Sequence, residues 1–456
     1  MRKFTLLQAA EACGGILSGD GSGEIRNVVI DSRKVEEGSL FAAIPGERVD
    51  GHDYIASAFS KGAVGVIAER DGFEGFGGAV IRVENTALAI GKIAAAYKRE
   101  YNIPTIGITG SVGKTTTKDM VSAVMSELGE CLKTEGNFNN ELGLPLTIFR
   151  MEEEHKSAVL EMGMSEFGEI HYLADIARPD VGVITNIGMS HIENLGSREG
   201  ILKAKCEISD FFGKDNMLII NNDNDMLSTL PTETVYKTVT YGTDNKSDWM
   251  AKNIEDKGIE GSSFTAVTPE GEIKVVLNVP GLHNVNNALA AMATGYRFGI
   301  APECAAKRLE SFKLTNMRMT VEHIGDVTII NDCYNAAPDS VIAALQVLKK
   351  ASGRRIAVLG DMFELGEFSK EAHTRVGNNC TDSADVVICA GEMSKYIARE
   401  TLKMGIKTEY YQTNTEAADA LASAVKDGDT VLIKASRGMH FEVAYEALKK
   451  KLSTTE

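Results

Sequence analysis

Ile106-Gly107-Ile108-Thr109-Gly110-Ser111-Val112-Gly113-Lys114-Thr115-Thr116 is the stretch that decides how the rest of this chain is read. Its short apolar run reads as a buried strand, and a glycine-bearing turn follows. Over residues 116–127 apolar side chains recur at helical spacing (Met120, Val121, Val124, Met125), with Leu128 just beyond. Strand, glycine turn, Lys-Thr and helix together make a phosphate cradle. Backbone N–H groups free of side-chain bulk surround the phosphates, and the helix N-terminus adds its partial positive charge. Thr109, Gly110, Ser111, Val112, Gly113, Lys114, Thr115 and Thr116 are therefore expected to hold the phosphates. Lys114 would reach the β/γ-phosphates, and the Thr115 hydroxyl would sit on Mg²⁺. The usual spacing wants a glycine where Ile108 stands, and the nearest are Gly107 and Gly110. The turn G-x-x-G-K-T still keeps the essential parts. The plainer alternative is a glycine turn that happens to precede a helix; the strand-helix context favours a nucleoside triphosphate site.

The chain has 456 residues, room for about three domains with cores of their own. Hydrophobic content of 43% and charged content of 25% are ordinary for a soluble globular protein. Lys and Arg total 48 against 64 Asp and Glu, a net charge of −16 that no basic run offsets, so nonspecific nucleic-acid binding is not expected. An anionic substrate must then be met by local Lys, Arg and Mg²⁺. Seven cysteines occur singly with no C-x-x-C, which suits a reduced thiol set better than disulfides or a zinc site. The N-terminal MRKFTLLQAAEACGG is broken by Gln8 and Glu11 and reads as a short amphipathic helix, not a signal peptide. No window nears the roughly 18 apolar residues of a membrane span. A soluble, cytoplasmic protein is expected.

The first unit, residues 1–102, shows strand-like runs at 27–30, 40–44, 64–68 and 79–83, and helical patterns at 54–60 and 87–98. Asp31-Ser32-Arg33 follows the first of these strands, and Gly46-Glu47-Arg48-Val49-Asp50-Gly51-His52-Asp53 is a polar loop. Polar groups at strand ends are where α/β folds hold ligands, although a solvated turn is the simpler account of the loop alone. In the second unit, 103–313, the loop T-E-G-N-F-N-N-E carries Asn137, Asn139 and Asn140 one helix downstream of the phosphate turn. The strand 157–160 ends in Glu161, a placement that suits a Mg²⁺ ligand. The strand 181–184 opens into a loop ending at His191, and a helix over 198–211 carries Lys203 and Lys205. On spacing alone Lys205 reads as a surface residue. Alternating runs at 263–268 and 272–278 suggest an antiparallel hairpin packed on this domain, and Gly281 to Leu289 open an alanine-rich helix.

In the third unit, 314–456, strands at 327–331, 355–359, 385–389 and 430–434 alternate with helices at 340–350, 371–378, 393–404 and 416–425. That alternation is a doubly wound domain. Asn331-Asp332, Asp361 and Lys434-Ala435-Ser436-Arg437 end three of its strands and are expected to face the nucleotide across a cleft. The charged tail 449–456 is expected to fray.

With these residues laid out, the chain resembles the Mur ligases, the ATP-dependent amide-forming enzymes of peptidoglycan synthesis, over nearly its whole length. The stretches that carry the resemblance are DSRKVEEGSLFAAIPGERVDGHD, TGSVGKTTTKDM, NFNNELGLPLT, LEMGMSEFGEI, TNIGMSHIENLGS, AKCEI, GLHNVNNALAA, NDCYNAAPDS and LGDMFELGE. The resemblance implies an α/β, three-domain Mur ligase architecture. It consists of an N-terminal UDP-sugar-binding domain, a central ATP-binding P-loop domain on a parallel sheet, and a C-terminal Rossmann-like domain. N-F-N-N-E, D-C-Y-N-A-A-P and L-G-D-M-F-E-L-G are similar to the branch that adds D-alanyl-D-alanine to UDP-N-acetylmuramoyl-tripeptide. Ala337 departs from that branch's N-A-N-P pattern, which weakens any specific role there. A monomer without nucleic-acid or membrane partners is the matching expectation.

The resemblance also implies roles. The family activates the substrate carboxylate as an acyl phosphate, which an amine then attacks, and two Mg²⁺ ions neutralise the crowded oxygens. Thr115 and Glu161 match the positions holding the first ion, and His191 matches a ligand of the second. Lys205 matches the lysine that the family carbamylates. An ammonium beside two divalent cations is repelled, whereas a neutral amine can take up CO₂ and present a carbamate to the metal. Catalytic roles thus fall on Lys114, Lys205 and His191. His283, Asn284 and Asn287 match the adenine-contacting segment. Arg318 and Asp332 match residues that reach ATP on domain closure, which keeps water from the acyl phosphate. Ser32, Arg33, Gly46 and Asp50 match the region seating the UDP-sugar, and Asn137, Asn139 and Asn140 the loop near the sugar-peptide.

Two other readings stay open at this point. A sibling ligase adding a single amino acid, or a folylpolyglutamate synthase, is expected to lack N-F-N-N-E and D-x-Y-N together. A phosphate-loop switch needs neither a metal-bridging lysine nor a third nucleotide-facing domain.

Overall fold

Strand runs in which every residue is buried must be covered on both faces, and the chain meets that demand with three open, largely parallel sheets. The structure is a computed structural model that describes residues 2–46, 49–315 and 317–453. Glu47 and Arg48 of the polar loop, and residues 454–456 of the tail, lie outside the described residues.

The first sheet has the order β1-β5-β4-β3-β2, built from β1 (Ile16–Ser18), β2 (Asn27–Val29), β3 (Ser39–Ala42), β4 (Gly65–Ala68) and β5 (Ala79–Arg82). Only β1 runs antiparallel. The helix Thr86–Arg99 turns Ile90, Ile93 and Tyr97 inward, and its core is continuous with one face of the second sheet. There the Tyr97 and Tyr101 hydroxyls both donate to the Met151 carbonyl, at 2.8 and 3.0 Å.

The second sheet has nine strands: β6 (Thr105–Thr109), β7 (Glu130–Lys133), β8 (His155–Glu161), β9 (Val181–Ile184), β10 (Met217–Asn221), β11 (Lys237–Gly242), β12 (Trp249–Asp256), β13 (Ser262–Thr268) and β14 (Gly271–Leu277). Their order is β14-β13-β12-β11-β10-β9-β6-β8-β7. Along β8 the faces alternate: Ala158 and Leu160 enter the core shared with the first unit, while Val159 enters the opposite one. On that opposite face the helices Lys114–Met125 and His283–Arg297 pack through Met120, Val121, Val124, Leu289 and Met292. The expected hairpin forms with β13 and β14 antiparallel, and its Phe264, Val275 and Leu277 share the core of the second unit. β12 hydrogen-bonds to both β11 and β13 and draws the hairpin into the sheet, so the parallel edge is covered by further strands.

The third sheet has the order β15-β16-β20-β17-β18-β19, with β15 (Thr320–Ile324), β16 (Val327–Asn331), β17 (Arg355–Gly360), β18 (Val386–Ala390), β19 (Lys407–Tyr411) and β20 (Thr430–Lys434). Ala357 and Leu359 point to one layer of helices, Ile356 and Val358 to the other, as in a doubly wound sheet. The expected frayed tail is corrected in part. Helix Glu442–Ser453 continues through Lys449, whose ammonium pairs with Glu322 of β15 at 2.8 Å, because Ala444 and Leu448 give the helix a buried stripe. Among the described residues no helix is long and apolar enough to cross a membrane, and all seven cysteines are unpaired.

Candidate active site

β6 separates β8 from β9, so the crossovers on its two sides diverge and leave a crevice at the strand ends. The phosphate turn leaves β6 there, Glu161 ends β8, and Thr185-Asn186 follow β9. Gly110 (φ 149°) and Gly113 (φ 83°) take backbone conformations that L side chains avoid, and a Cβ on Gly110 would collide with the Thr185 hydroxyl. The close approach therefore falls at Gly110, and Ile108 is free to fill the core. Val112 N–H donates to Asn186 Oδ1 at 2.9 Å, and the Thr185 hydroxyl donates to the Val112 carbonyl at 2.6 Å. Two loops are thus fastened into one cradle.

Glu161 is 2% exposed; its Oε2 accepts from the Thr115 hydroxyl at 2.8 Å and its Oε1 from the Asn139 amide at 2.9 Å. Its N–H is held by the Thr134 hydroxyl at 2.9 Å. A buried carboxylate bonded only to neutral donors is a strong attractor of a cation. Lys114 donates to the Gly110 carbonyl at 2.7 Å and so arches over the turn. Burial lowers its pKa and Arg318 adds to that, while Glu161 and Glu364 oppose it.

Lys205 corrects the expectation drawn from spacing. It is 1% exposed, and burial first, then the charge of Lys114, push its amine far below the ordinary lysine value. Its neighbour Lys203 is the exposed one, with its ammonium 5.7 Å from the Phe167 ring centroid. His191 (φ 63°) ends the loop after β9, and its Nδ1 lies 2.9 Å from a carboxylate oxygen of Glu364 in the third unit. The hydrogen bond from His191, aided by Lys114, holds the Glu364 carboxyl below its ordinary value.

The opposite wall comes from the third sheet. Lys434, 3% exposed at the end of β20, pairs with Asp332 Oδ2 at 2.5 Å and donates to the Asn335 carbonyl at 2.9 Å. Asp332 Oδ1 accepts from Met319 N–H at 3.1 Å, and the Arg318 guanidinium lies 4.1 Å from the Tyr334 ring centroid. Asp361 does not face the cleft as expected. It is 5% exposed and accepts from the N–H groups of Met393 and Ser394 at 3.0 and 2.7 Å, which fastens the turn that leads into the helix Lys395–Lys403.

Between the walls lies a cleft of about 1240 Å³. It is lined by Ser111 to Thr116, Asn139, Asn140, Glu161 and His191, and also by His283, Asn284, Asn287, Arg318 and Asp332. The amides of Asn284 and Asn287 are largely spent on scaffolding. Asn287 takes the Thr117 hydroxyl at 3.0 Å and donates to Asn284 at 2.9 Å, which ties the helix His283–Arg297 to the phosphate helix. Asn140 lines the cleft while its Oδ1 accepts from Gly143 N–H at 2.9 Å.

Other expected residues lie elsewhere. Thr109 is fully buried, Gly110 faces Lys114 through its carbonyl, Lys205 is buried and does not line the cleft, and Asn137 is exposed outside it. Ser32, Arg33, Gly46 and Asp50 gather instead beyond the C-terminal ends of β2 and β3. There Arg33 Nη2 pairs with Asp31 at 2.8 Å, and the Ser32 carbonyl takes the Lys61 ammonium at 2.8 Å. Gly46 N–H donates to the Val49 carbonyl at 3.1 Å. Asp50 bonds His52 at 2.6 Å and pairs with Arg70, which hold its carboxyl down to about 2. Asn186, Tyr334 and Glu364 line the cleft without having been assigned roles from the sequence, while Arg437 lines it as its strand-end run predicts. Each stands inside one of the quoted motif stretches or strand-end runs, so polar residues after a buried strand were the available signal.

Comparison with known proteins bears on the whole length. The profile for "Mur ligase family, catalytic domain" matches residues 24–98, "Mur ligase middle domain" 108–295, and "Mur ligase, glutamate ligase domain" 317–437. The UDP-N-acetylmuramoyl-tripeptide–D-alanyl-D-alanine ligase of Bacillus subtilis (strain 168) is 41% identical over 451 residues, covering 97% of each chain. The crystal structure of MurF from Acinetobacter baumannii matches with a TM-score of 0.91 at 32% identity, over 99% of both chains. MurF ligase from Thermotoga maritima in complex with ADP matches with a TM-score of 0.83 at 31% identity, over 94% of this chain and 99% of that one.

Proposed function

The chain belongs to the Mur ligase family, and on that premise we propose that it uses ATP to join D-alanyl-D-alanine to UDP-N-acetylmuramoyl-tripeptide, as its relatives' names describe. The single observation that carries the reading is the buried Glu161–Thr115 pair beside Lys114, set across a cleft from the cations of the third unit. A phosphate-loop switch has no need of that second wall. The tripeptide carboxylate attacks the γ-phosphorus and ADP leaves. The dipeptide amine then attacks the acyl carbon, loses a proton, and inorganic phosphate departs. Lys114 and the N–H groups of the turn hold the phosphates in line. Arg318 and Arg437 line the opposite wall, where they can meet phosphate charge when the units close.

Mg²⁺ suits this donor set. Thr115 and Glu161 would hold one ion and His191 a second, with Lys205 reaching them as a carbamate. The amine of Lys205 is buried, and burial and the charge of Lys114 push its pKa well below the ordinary lysine value, toward the neutral form that can add CO₂. When bound, the ions neutralise the oxygens of ATP and acyl phosphate. The adenine would lie against His283, Asn284 and Asn287. The cluster of Ser32, Arg33, Gly46 and Asp50 would take the UDP end, with Asn137, Asn139 and Asn140 nearer the peptide. We read the chain as three domains, 1–102, 103–313 and 314–456, acting as a cytoplasmic monomer.

The test is phosphate release with UDP-muramoyl-tripeptide, ATP and Mg²⁺ across a panel of amines. Release that depends on D-alanyl-D-alanine is expected. Comparable turnover with single amino acids and none with the dipeptide would move the chain to a sibling activity.

A further inference from the structure

His191 is expected to ligate a cation, yet an imidazole on a loop can rotate and can carry its proton on either nitrogen. What fixes it here comes from another sheet. The Nδ1 of His191 lies 2.9 Å from Glu364 Oε2, in the turn that follows β17. That turn is held on three sides. Phe363 N–H donates to the Ser436 hydroxyl at 2.9 Å, and Met362 N–H donates to Nε2 of the fully buried His373 at 3.0 Å. His373 Nδ1 in turn bonds the Ser369 carbonyl at 2.7 Å, which sets its tautomer. Gly366 backs onto Glu193, where a Cβ would come within 3.1 Å of the glutamate side chain, so the turn abuts the helix Ile192–Leu195 that starts just after His191. The carboxylate is presented on a built support.

We propose that Glu364 is the positioning residue for His191: reaching across from the third unit, it holds the Nδ1–H tautomer and leaves the Nε2 lone pair free for a metal ion. The inference rests on the ligase reading above. A carboxylate behind a ligating histidine fixes ring orientation and raises its basicity, and losing it costs about 10–100-fold in metal affinity. A half-exposed ion pair serving only as a tether would contribute little to anything. On this arrangement the second cation site is completed only when the third unit is against the second. Approach of the domains then sets the histidine as well as excluding water.

Mn²⁺ binding to the full-length protein with ADP, followed by electron paramagnetic resonance, tests this alongside ¹⁵N spectra of histidine-labelled protein without metal. Wild type is expected to bind two Mn²⁺ ions and to show His191 protonated on Nδ1. In Glu364→Ala the weaker Mn²⁺ affinity should fall about 10–100-fold with the tighter one unchanged, and the tautomer preference should be lost. Glu364→Gln, nearly isosteric and still able to accept from Nδ1–H, should fall between the two. Two ions in wild type with unchanged affinities and tautomer in Glu364→Ala would overturn the proposal alone. A single ion in wild type would overturn the two-ion reading, and this proposal with it. Unchanged thermal unfolding of Glu364→Gln guards against a folding defect.

Discussion

Replacing Lys205 by methionine should separate stability from activity. Lys205 is 1% exposed, and burial and the like charge of Lys114 act on its amine, with no hydrogen bond or carboxylate among the described residues to offset them. A polar group left unpaired in such surroundings destabilises a fold by about 1–3 kcal/mol. Methionine has nearly the same length without the polar end. It therefore avoids the cavity penalty of about 2–5 kcal/mol that a large-to-alanine change brings. The ligand-free Lys205→Met protein should be more stable by about 1–3 kcal/mol, and its unfolding midpoint should rise by about 2–4 °C for each kcal/mol. Turnover should move the other way. Without the amine no carbamate can form, and phosphate release should fall by about 10²–10³, the scale of a lost electrostatic contact. The assays are thermal unfolding in bicarbonate-free buffer and phosphate release with the full substrate set. Formate or acetate should restore part of the activity of Lys205→Ala, which leaves space for it, and little in Lys205→Met, which fills that space. Lys205→Glu should rescue poorly, its carboxylate falling short of the metal. The exposed Lys203 is the control, and Lys203→Ala should stay within a few-fold of wild type. A Lys205→Met protein that is less stable yet fully active would refute the reasoning. A dead Lys203→Ala beside an active Lys205→Ala would do the same.

Lys114→Ala should lose about 10²–10³ in ATP-dependent turnover with an unchanged unfolding midpoint, and near-normal turnover by the folded variant would remove the phosphate assignment. Asn186→Ala strips Val112 N–H of its acceptor at 2.9 Å, so ADP affinity by calorimetry should drop by about fivefold, equivalent to about 1 kcal/mol. Asp119, 4% exposed, lies 3.2 Å from the buried Lys118 and takes the Thr315 hydroxyl at 2.9 Å, so Asp119→Ala should cost about 3–5 kcal/mol in denaturant unfolding by stranding a buried charge. Burial would raise the Asp119 carboxyl, but Lys118, Lys133 and Thr315 hold it below its ordinary value. Its stabilisation is therefore present above the ordinary carboxylate range and lost as pH falls below it, and the gap between wild type and Asp119→Ala should narrow on acidification.

The phosphate turn was legible in the sequence because all its parts are contiguous: an apolar strand, glycines, Lys114-Thr115 and a helix occupy one short run, and local geometry alone assembles them. The strands Val181–Ile184, Val327–Asn331 and Thr430–Lys434 were legible because sheets covered on both faces demand unbroken apolar runs. Three elements at sheet edges escaped notice. β1 is three residues long, while β15 (T-V-E-H-I) and β19 (K-T-E-Y-Y) mix polar with apolar residues because one side meets solvent.

What only the tertiary structure decided concerns polar side chains. Helical periodicity places Lys203 and Lys205 on different faces but cannot say which face meets the core, since either lysine is as polar as the other; packing of the helix into the core that takes Ile201 and Ala204 buries Lys205. The sequence likewise marks Glu161 as a strand-end carboxylate, but its bonds to Thr115 and Asn139 require three separate strand and loop ends to meet. His191 and Glu364 lie in different units, and no local propensity relates them. Backbone conformation and apolar burial are read from near neighbours in the chain, whereas the charge and orientation of a site side chain depend on what the completed fold brings against it.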